Sequence, residues 1–298
     1  MSYINSKLFT VQMILQLVLL ILLYFIDFGA NLQAISAGIL LCLVGIPHGA
    51  NDHLYREDQT WLGMFKFLGV YLGIIGLYVV LWHFLPLAAL ILFFVVSFHH
   101  FGQSNFENEK VWYLPSILWG ILLLTFPVVL HFDEALLIFK SMIGKGNFNE
   151  LIFEFKLEKL SVWQILSLMG FAITYLGSIF IYQKQYFLKY FLQLILVSFW
   201  YFFTPLLFGF IVVFCLWHAL QSTQHQVNFY TTFYKKKTID FFLAMLPFSL
   251  ISLLGFAFYV YFFSFNIGHS FILLSLITLP HVLVMHKLYG KGKQMEIK

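Results

Sequence analysis

The stretch "AISAGILLCLVGIPHGANDHLYRED", residues 34–58, decides how the whole chain is read. Up to Ile46 it is an apolar run suited to a membrane helix. Pro47, His48, Asp52 and His53 then fall within seven positions at its end. Polar side chains are costly inside a bilayer, and there they face a bundle interior or a cavity. A histidine that follows a proline at the end of an apolar helix therefore asks for a buried partner.

The rest of the chain has the same character. Of its 298 residues, 61% are hydrophobic, 20% aromatic and 10% charged, against about 25% charged in a soluble domain. The mean hydropathy is +0.88, and apolar runs long enough to cross a bilayer recur throughout. These features predict an all-α fold, a polytopic transmembrane helical bundle of about ten spans that forms a single domain over residues 1–298. The spans are expected near 8–26, 34–50, 64–82, 86–103, 112–130, 162–182, 187–204, 206–225, 239–263 and 270–286. Pro86, Pro205 and Pro280 mark starts or kinks. The one long connection, 131–161, contains "FNELIFEFKLEKL" (148–160), whose apolar residues interleave with Glu and Lys as in an amphipathic element on a membrane surface. Cys42 and Cys215 fall inside spans, so no disulfide framework is expected. The first span reads as a retained helix with no cleavable leader. Phosphate loops, Cys-X-X-Cys pairs and Gly-rich dinucleotide fingerprints are missing from the sequence.

Eleven histidines remain to be placed. His83, His131 and His269 fall at one end of their spans. The other eight gather toward the opposite ends: His48 and His53, His99 and His100, His218 and His225, His281 and His286. Their four spans (the second, fourth, eighth and tenth) all run in the same direction, so these histidines lie at similar depth and can converge. Any one alone reads as an interhelical hydrogen-bonding group. Convergence from four spans reads as a metal site. Imidazole without cysteine suits iron, copper or zinc rather than a soft thiolate-bound metal. Asp52 and the polar Gln103, Ser104 and Asn105 are suited to orient an imidazole through its second nitrogen.

Four motifs in order, "PHGANDH" at 47–53, "HHFGQSN" at 99–105, "WHALQS" at 217–222 and "LPHVLVMH" at 279–286, resemble the Brp/Blh family over nearly the whole chain. These bacteriorhodopsin-related membrane proteins include β-carotene 15,15′-dioxygenases. The resemblance implies a non-haem Fe(II) enzyme that uses O2 to cleave the central double bond of β-carotene, or a related carotenoid, into two retinal molecules. Four histidines are that family's proposed iron ligands, and three of them carry over by position to His48, His100 and His218. The fourth position, four residues after His218, is Ser222 here. His281 and His225 are the candidates to replace it. His225 follows His218 by seven residues, on the same helix face but about 10.5 Å along the axis, so the two share one metal only if both side chains stretch toward a midpoint or the helix breaks near Gln221, Ser222 and Thr223. His281 comes from another span and, like His48, follows a proline. It is therefore the expected fourth ligand, with His225 in reserve.

Two other function classes are compatible with a histidine-rich membrane protein. Lipid desaturases and hydroxylases carry tighter His-X-X-X-His boxes than this chain shows. A transporter with intramembrane histidines would be expected to carry repeated broken helices and deep acids as well. Membrane lipid is the expected surrounding partner, and the net charge of +4 reflects orientation rather than nucleic-acid binding.

Seventeen basic residues, of which Arg56 is the one arginine, set that orientation. Thirteen lie at the N-terminus, in loops after even-numbered spans and in the C-terminal tail. The other four, Lys140, Lys145, Lys156 and Lys159, lie in the long connection on the opposite side. The positive-inside rule then puts both termini in the cytoplasm. The Lys-over-Arg, Phe- and Ile-rich usage points to a bacterial inner membrane. Reporter fusions at residues 1 and 298 are expected to read cytoplasmic, and an outside reading at either end overturns the orientation.

Overall fold

The computed structural model describes residues 3–26, 29–56, 58–106, 113–144, 161–263 and 265–296. The amphipathic segment expected at 148–160 lies outside them. The fold is an all-α, polytopic helical bundle. Its helices are α1 (Tyr3–Phe25), α2 (Ala30–Leu40), α3 (Ile46–Gly49), α4 (Trp61–Phe84), α5 (Pro86–Phe106), α6 (Leu114–Leu130), α7 (Phe132–Ile143), α8 (Val162–Tyr182), α9 (Phe187–Phe203), α10 (Leu206–Val213), α11 (Leu220–Phe233), α12 (Thr238–Phe263) and α13 (Ile267–Glu296). Two π turns, Leu41–Gly45 and Phe214–Ala219, join α2 to α3 and α10 to α11.

Among the described residues, nine helical stretches are long and apolar enough to cross a membrane. A tenth would be the pair α6 and α7, bent by 103° at their junction. The fifth span expected from sequence therefore ends in a sharp turn at His131. The prolines act as their backbone chemistry dictates. Pro86 opens α5, and Pro205 stands immediately before α10. Pro280 sits inside α13, which runs on to Glu296, so it starts no helix. At the head of α4, the Thr60 hydroxyl accepts from Gly63 N at 3.1 Å, a side-chain N-cap. Thr60 also hydrogen-bonds Asp58, which holds that exposed carboxyl below its usual range.

The chain divides into two compact units. The first comprises Met1–Gly45, Phe98–Ala135 and Glu154–Gln224. Its interior is aromatic: Trp119, Tyr175, Trp200 and Trp217 are fully enclosed. Their polar tips tie helices together where they find backbone, as when Trp200 Nε1 donates to Gly209 O (3.2 Å) and the Tyr201 hydroxyl to Leu123 O (2.9 Å). His131 bonds the Tyr201 carbonyl at 2.9 Å. Within this unit α5 and α6 cross with almost no space between their backbones. A methyl built on Gly102 would run into the Ser116 carbonyl, and one on Gly120 into the Phe98 carbonyl. Small residues permit this approach in apolar surroundings.

The second unit comprises Ile46–Ser97, Leu136–Phe153 and His225–Lys298. Tyr78, Trp82, Ala89, Leu90, Met142 and Ile143 form its main core. Trp82 Nε1 donates to Ser275 Oγ (3.0 Å) and the Tyr78 hydroxyl to Ala89 O (2.8 Å), joining α4 to α13 and to α5. A smaller cluster packs Phe229 against Met285, Leu288 and Tyr289. The outward faces are as apolar as the core. In α4 the most apolar window has a mean hydropathy of 2.0 yet is only 6% buried.

The glycine crossing yields a prediction. Gly102→Ala and Gly120→Ala force the α5 and α6 backbones apart and cost about 1–3 kcal/mol each, the range for overpacked cores. Gly170→Ala, where nothing lies within 4 Å of the added methyl, is expected to leave the melting temperature unchanged or slightly raised, because alanine favours helix. Thermal unfolding of the detergent-solubilised variants measures this. Equal behaviour at all three positions would show that the crossing is not tight.

Candidate metal centre

Two of the histidine motifs, those of His48 and His218, are carried by irregular pieces of helix. Proline lacks an N–H and its ring clashes with the preceding turn. The π turn Leu41–Gly45 widens the helix just before Pro47, a common arrangement near functional sites. His48 follows in the short α3 and is buried. Its carbonyl accepts from Gln226 Nε2 (3.1 Å), while Gln226 Oε1 accepts from Asn51 Nδ2 (2.6 Å). The chain then turns through the 3-10 segment Asp52–Tyr55.

That turn aims Asp52 at α13. Asp52 Oδ1 lies 2.7 Å from His281 Nδ1, and Oδ2 accepts from the Tyr71 hydroxyl at 3.0 Å. Asp52 and His281 are each 3% exposed. A carboxylate oxygen accepts, so His281 donates to it from Nδ1. The rings of His48 and His281 stand edge to face, 5.2 Å apart. His53 is buried and stacks on Phe248 at 4.0 Å, because the 3-10 turn folds it inward.

A second pair forms in the first unit. His100 lies on α5 between Phe98 and Gly102, the two points where α5 meets α6 most closely. Its neighbour His99 is only half-buried, as expected for residues about 100° apart on a helix. His218 sits inside the π turn Phe214–Ala219, and its ring lies 4.5 Å from that of His100. Phe101 stacks on His218 at 4.2 Å with planes 11° apart, and Phe214 lies nearby at 5.5 Å. The Ser104 hydroxyl donates to Phe101 O (3.0 Å) and sits 3.1 Å from His218 Nδ1. The hydroxyl has one proton, directed at the carbonyl. It therefore accepts from Nδ1–H of His218, which fixes the ring and its tautomer.

His225 lies elsewhere. Its ring packs edge-on against Tyr289 at 5.5 Å. The polar run Gln221-Ser222-Thr223 does not break the helix: α11 is regular from Leu220 to Phe233, and the irregularity comes earlier, around His218 itself.

Some participants carry no motif. Gln12 and Gln16, one turn apart on α1, and Gln193 on α9 are fully buried, as is Gln226 on α11. A glutamine inside an apolar span was the available signal, since an amide there needs partners. Arginine and lysine draw attention in such spans; neutral amides do not.

Each unit thus brings together a pair of buried histidines, His100 with His218 in the first and His48 with His281 in the second. Imidazoles that donate from Nδ1 to Ser104 and to Asp52 have the orientation that ligands of a borderline metal need.

The family described as Beta-carotene 15,15'-dioxygenase matches residues 39–289, a stretch that includes every histidine of the four motifs. Neither a curated protein nor a solved structure matches the chain significantly. An oxygenase family sets the transporter reading aside. Since that match covers most of its length, the chain belongs to the β-carotene 15,15′-dioxygenase family and is a carotenoid-cleaving oxygenase.

Proposed function

We propose that the protein is a membrane-embedded, non-haem Fe(II) dioxygenase that cleaves the central double bond of β-carotene with O2 to give two retinal molecules. The observation that carries this reading is the family match across 39–289, which spans His48, His100, His218 and His281 together. In this reading those four histidines share one iron. Support comes from the two ring pairs, His100 with His218 and His48 with His281. It also comes from the hydrogen bonds that commit Nδ1 of His218 and of His281, so that both present Nε2. His281 is preferred to His225 as the fourth ligand because its ring neighbours His48, whereas that of His225 neighbours Tyr289.

The chemistry that iron supplies when bound is the activation of dioxygen, with one oxygen atom going to each aldehyde. The chain's own part is to hold the imidazoles, keep them in one tautomer and exclude water. Phe101 and Phe214 beside His218 offer flat apolar faces of the kind a polyene packs against. A carotenoid is dissolved in the bilayer, and the apolar outer face of α4 suits immersion there, since surface of that extent is a liability in water. The inner membrane, with both termini cytoplasmic, is the location that fits the distribution of basic residues.

Purified protein loaded with Fe(II) is expected to convert β-carotene and O2 into retinal as the only retinoid. Products of another chain length, or no product at all, would sink the specific reaction. His48→Ala, His100→Ala and His218→Ala should each keep near-normal expression while bound iron and turnover fall by more than the 10- to 100-fold typical of losing a supporting partner. Full iron occupancy in any one variant removes that residue from the ligand set. For the fourth ligand, His281→Ala is expected to lose iron and His225→Ala to keep it. The reverse result would transfer the role to His225.

A further inference from the structure

The π turn that carries His218 leaves one backbone carbonyl in need of a partner. In a regular α-helix the Leu220 N–H would bond Leu216 O, four residues back. Here it bonds Cys215 O, five residues back. Leu216 O thereby loses its ordinary donor inside a buried segment. Gln12, fully buried on α1, donates to that carbonyl from Nε2 at 2.5 Å. The carbonyl only accepts, so the orientation of the Gln12 amide follows, and its Oε1 is left to accept from Gln221 Nε2 at 3.3 Å. One turn along α1, Gln16 Oε1 accepts from Trp217 Nε1 at 2.5 Å. The residues on either side of the Leu216–Trp217 peptide bond are thus gripped by one face of α1.

The grip continues to the ring of His218. Gln221 Nε2 also donates to Asn105 Oδ1 (3.1 Å), and Asn105 is locked to Gln193 by a reciprocal amide pair (3.2 and 2.9 Å). Asn105 adjoins Ser104, whose hydroxyl holds His218 Nδ1. His218 is therefore held at its backbone through Gln12 and at its ring through Ser104, and Gln221 links the two supports. From the other side, Gly45 at the end of the first π turn packs against Phe214 and Cys215 of the second.

We propose that Gln12 is a positioning residue for the metal centre: by capping Leu216 O it fixes the π register that presents His218. This assigns a role to α1, which precedes the family-matched stretch beginning at residue 39. It rests on the reading of His218 as a metal ligand. A π turn can revert to α-helix by shifting its hydrogen bonds one residue, which rotates side chains by about 100°. The Gln12 amide rewards the π form alone, because only there is Leu216 O released.

The test uses Co(II), whose visible spectrum reports ligand geometry, titrated into the purified full-length apoprotein. Gln12→Met keeps the side-chain length and removes both amide atoms. Gln12→Asn keeps the amide but falls one methylene short, and serves if the first variant does not fold. Each is expected to weaken Co(II) binding about 10- to 100-fold and to shift the visible bands, with helical content retained. In a His218→Ala background the same substitutions are expected to change neither affinity nor spectrum further. If Gln12 only stabilises the fold, affinity will fall again in that background, and the proposal is overturned. It is also overturned, alone, if His218→Ala weakens binding while the Gln12 variants bind like wild type. If His218→Ala itself binds like wild type, the ligand reading fails and the proposal fails with it.

Discussion

Every backbone and side-chain polar group inside an apolar bundle must find its partner within the protein, because no water is at hand and each unmet group costs several kcal/mol in hydrocarbon. The rest of this structure depends on that constraint. A catalytic centre requires polar rings at depth, and presenting them requires breaks in helix regularity that release carbonyls. The chain answers with neutral amides. Gln12 takes Leu216 O, and Gln226 takes His48 O. Amides suit the task because they donate and accept at once without carrying a charge that burial would penalise.

The same economy governs the imidazoles. A histidine ring has two nitrogens, and a metal uses one. What the other does fixes the tautomer and the direction of the lone pair. The two pairs solve this differently. Ser104 binds His218 through a neutral hydroxyl already committed to the Phe101 carbonyl. Asp52 binds His281 through a carboxylate that Tyr71 also steadies. The two rings are thus oriented by partners of different charge.

Much of this was legible along the chain, and the boundary of legibility has a physical cause. The spans were readable because hydropathy is a local sum: the expected 162–182 and 239–263 fall on α8 and on α12. The bend of 103° between α6 and α7 was not, because Leu130 and Phe132 are as apolar as any helix interior and only packing decides where the second piece points. His53 lies on the 3-10 turn and stacks on Phe248, a pairing that no local pattern announces. The polar run after His218 drew attention to Ser222, while the irregularity lies in Phe214–Ala219, apolar but for His218 itself. A π turn has no composition signal of its own, since it is a choice of hydrogen-bond register settled by neighbours.

The sequence by itself determined the class of the molecule, the helices and the residue types of the centre. Apolar run length, the order of four histidine motifs and the proline before His48 are properties of short segments, and local chemistry suffices to read them. The tertiary structure decided which histidines meet whom. His100 rather than His99 faces His218, His281 pairs with Asp52, and His225 turns to Tyr289. Those choices join residues up to 229 positions apart. They are made by close backbone crossings and by the matching of donors to acceptors across helices, which depend on three-dimensional placement and leave no periodic trace in the sequence.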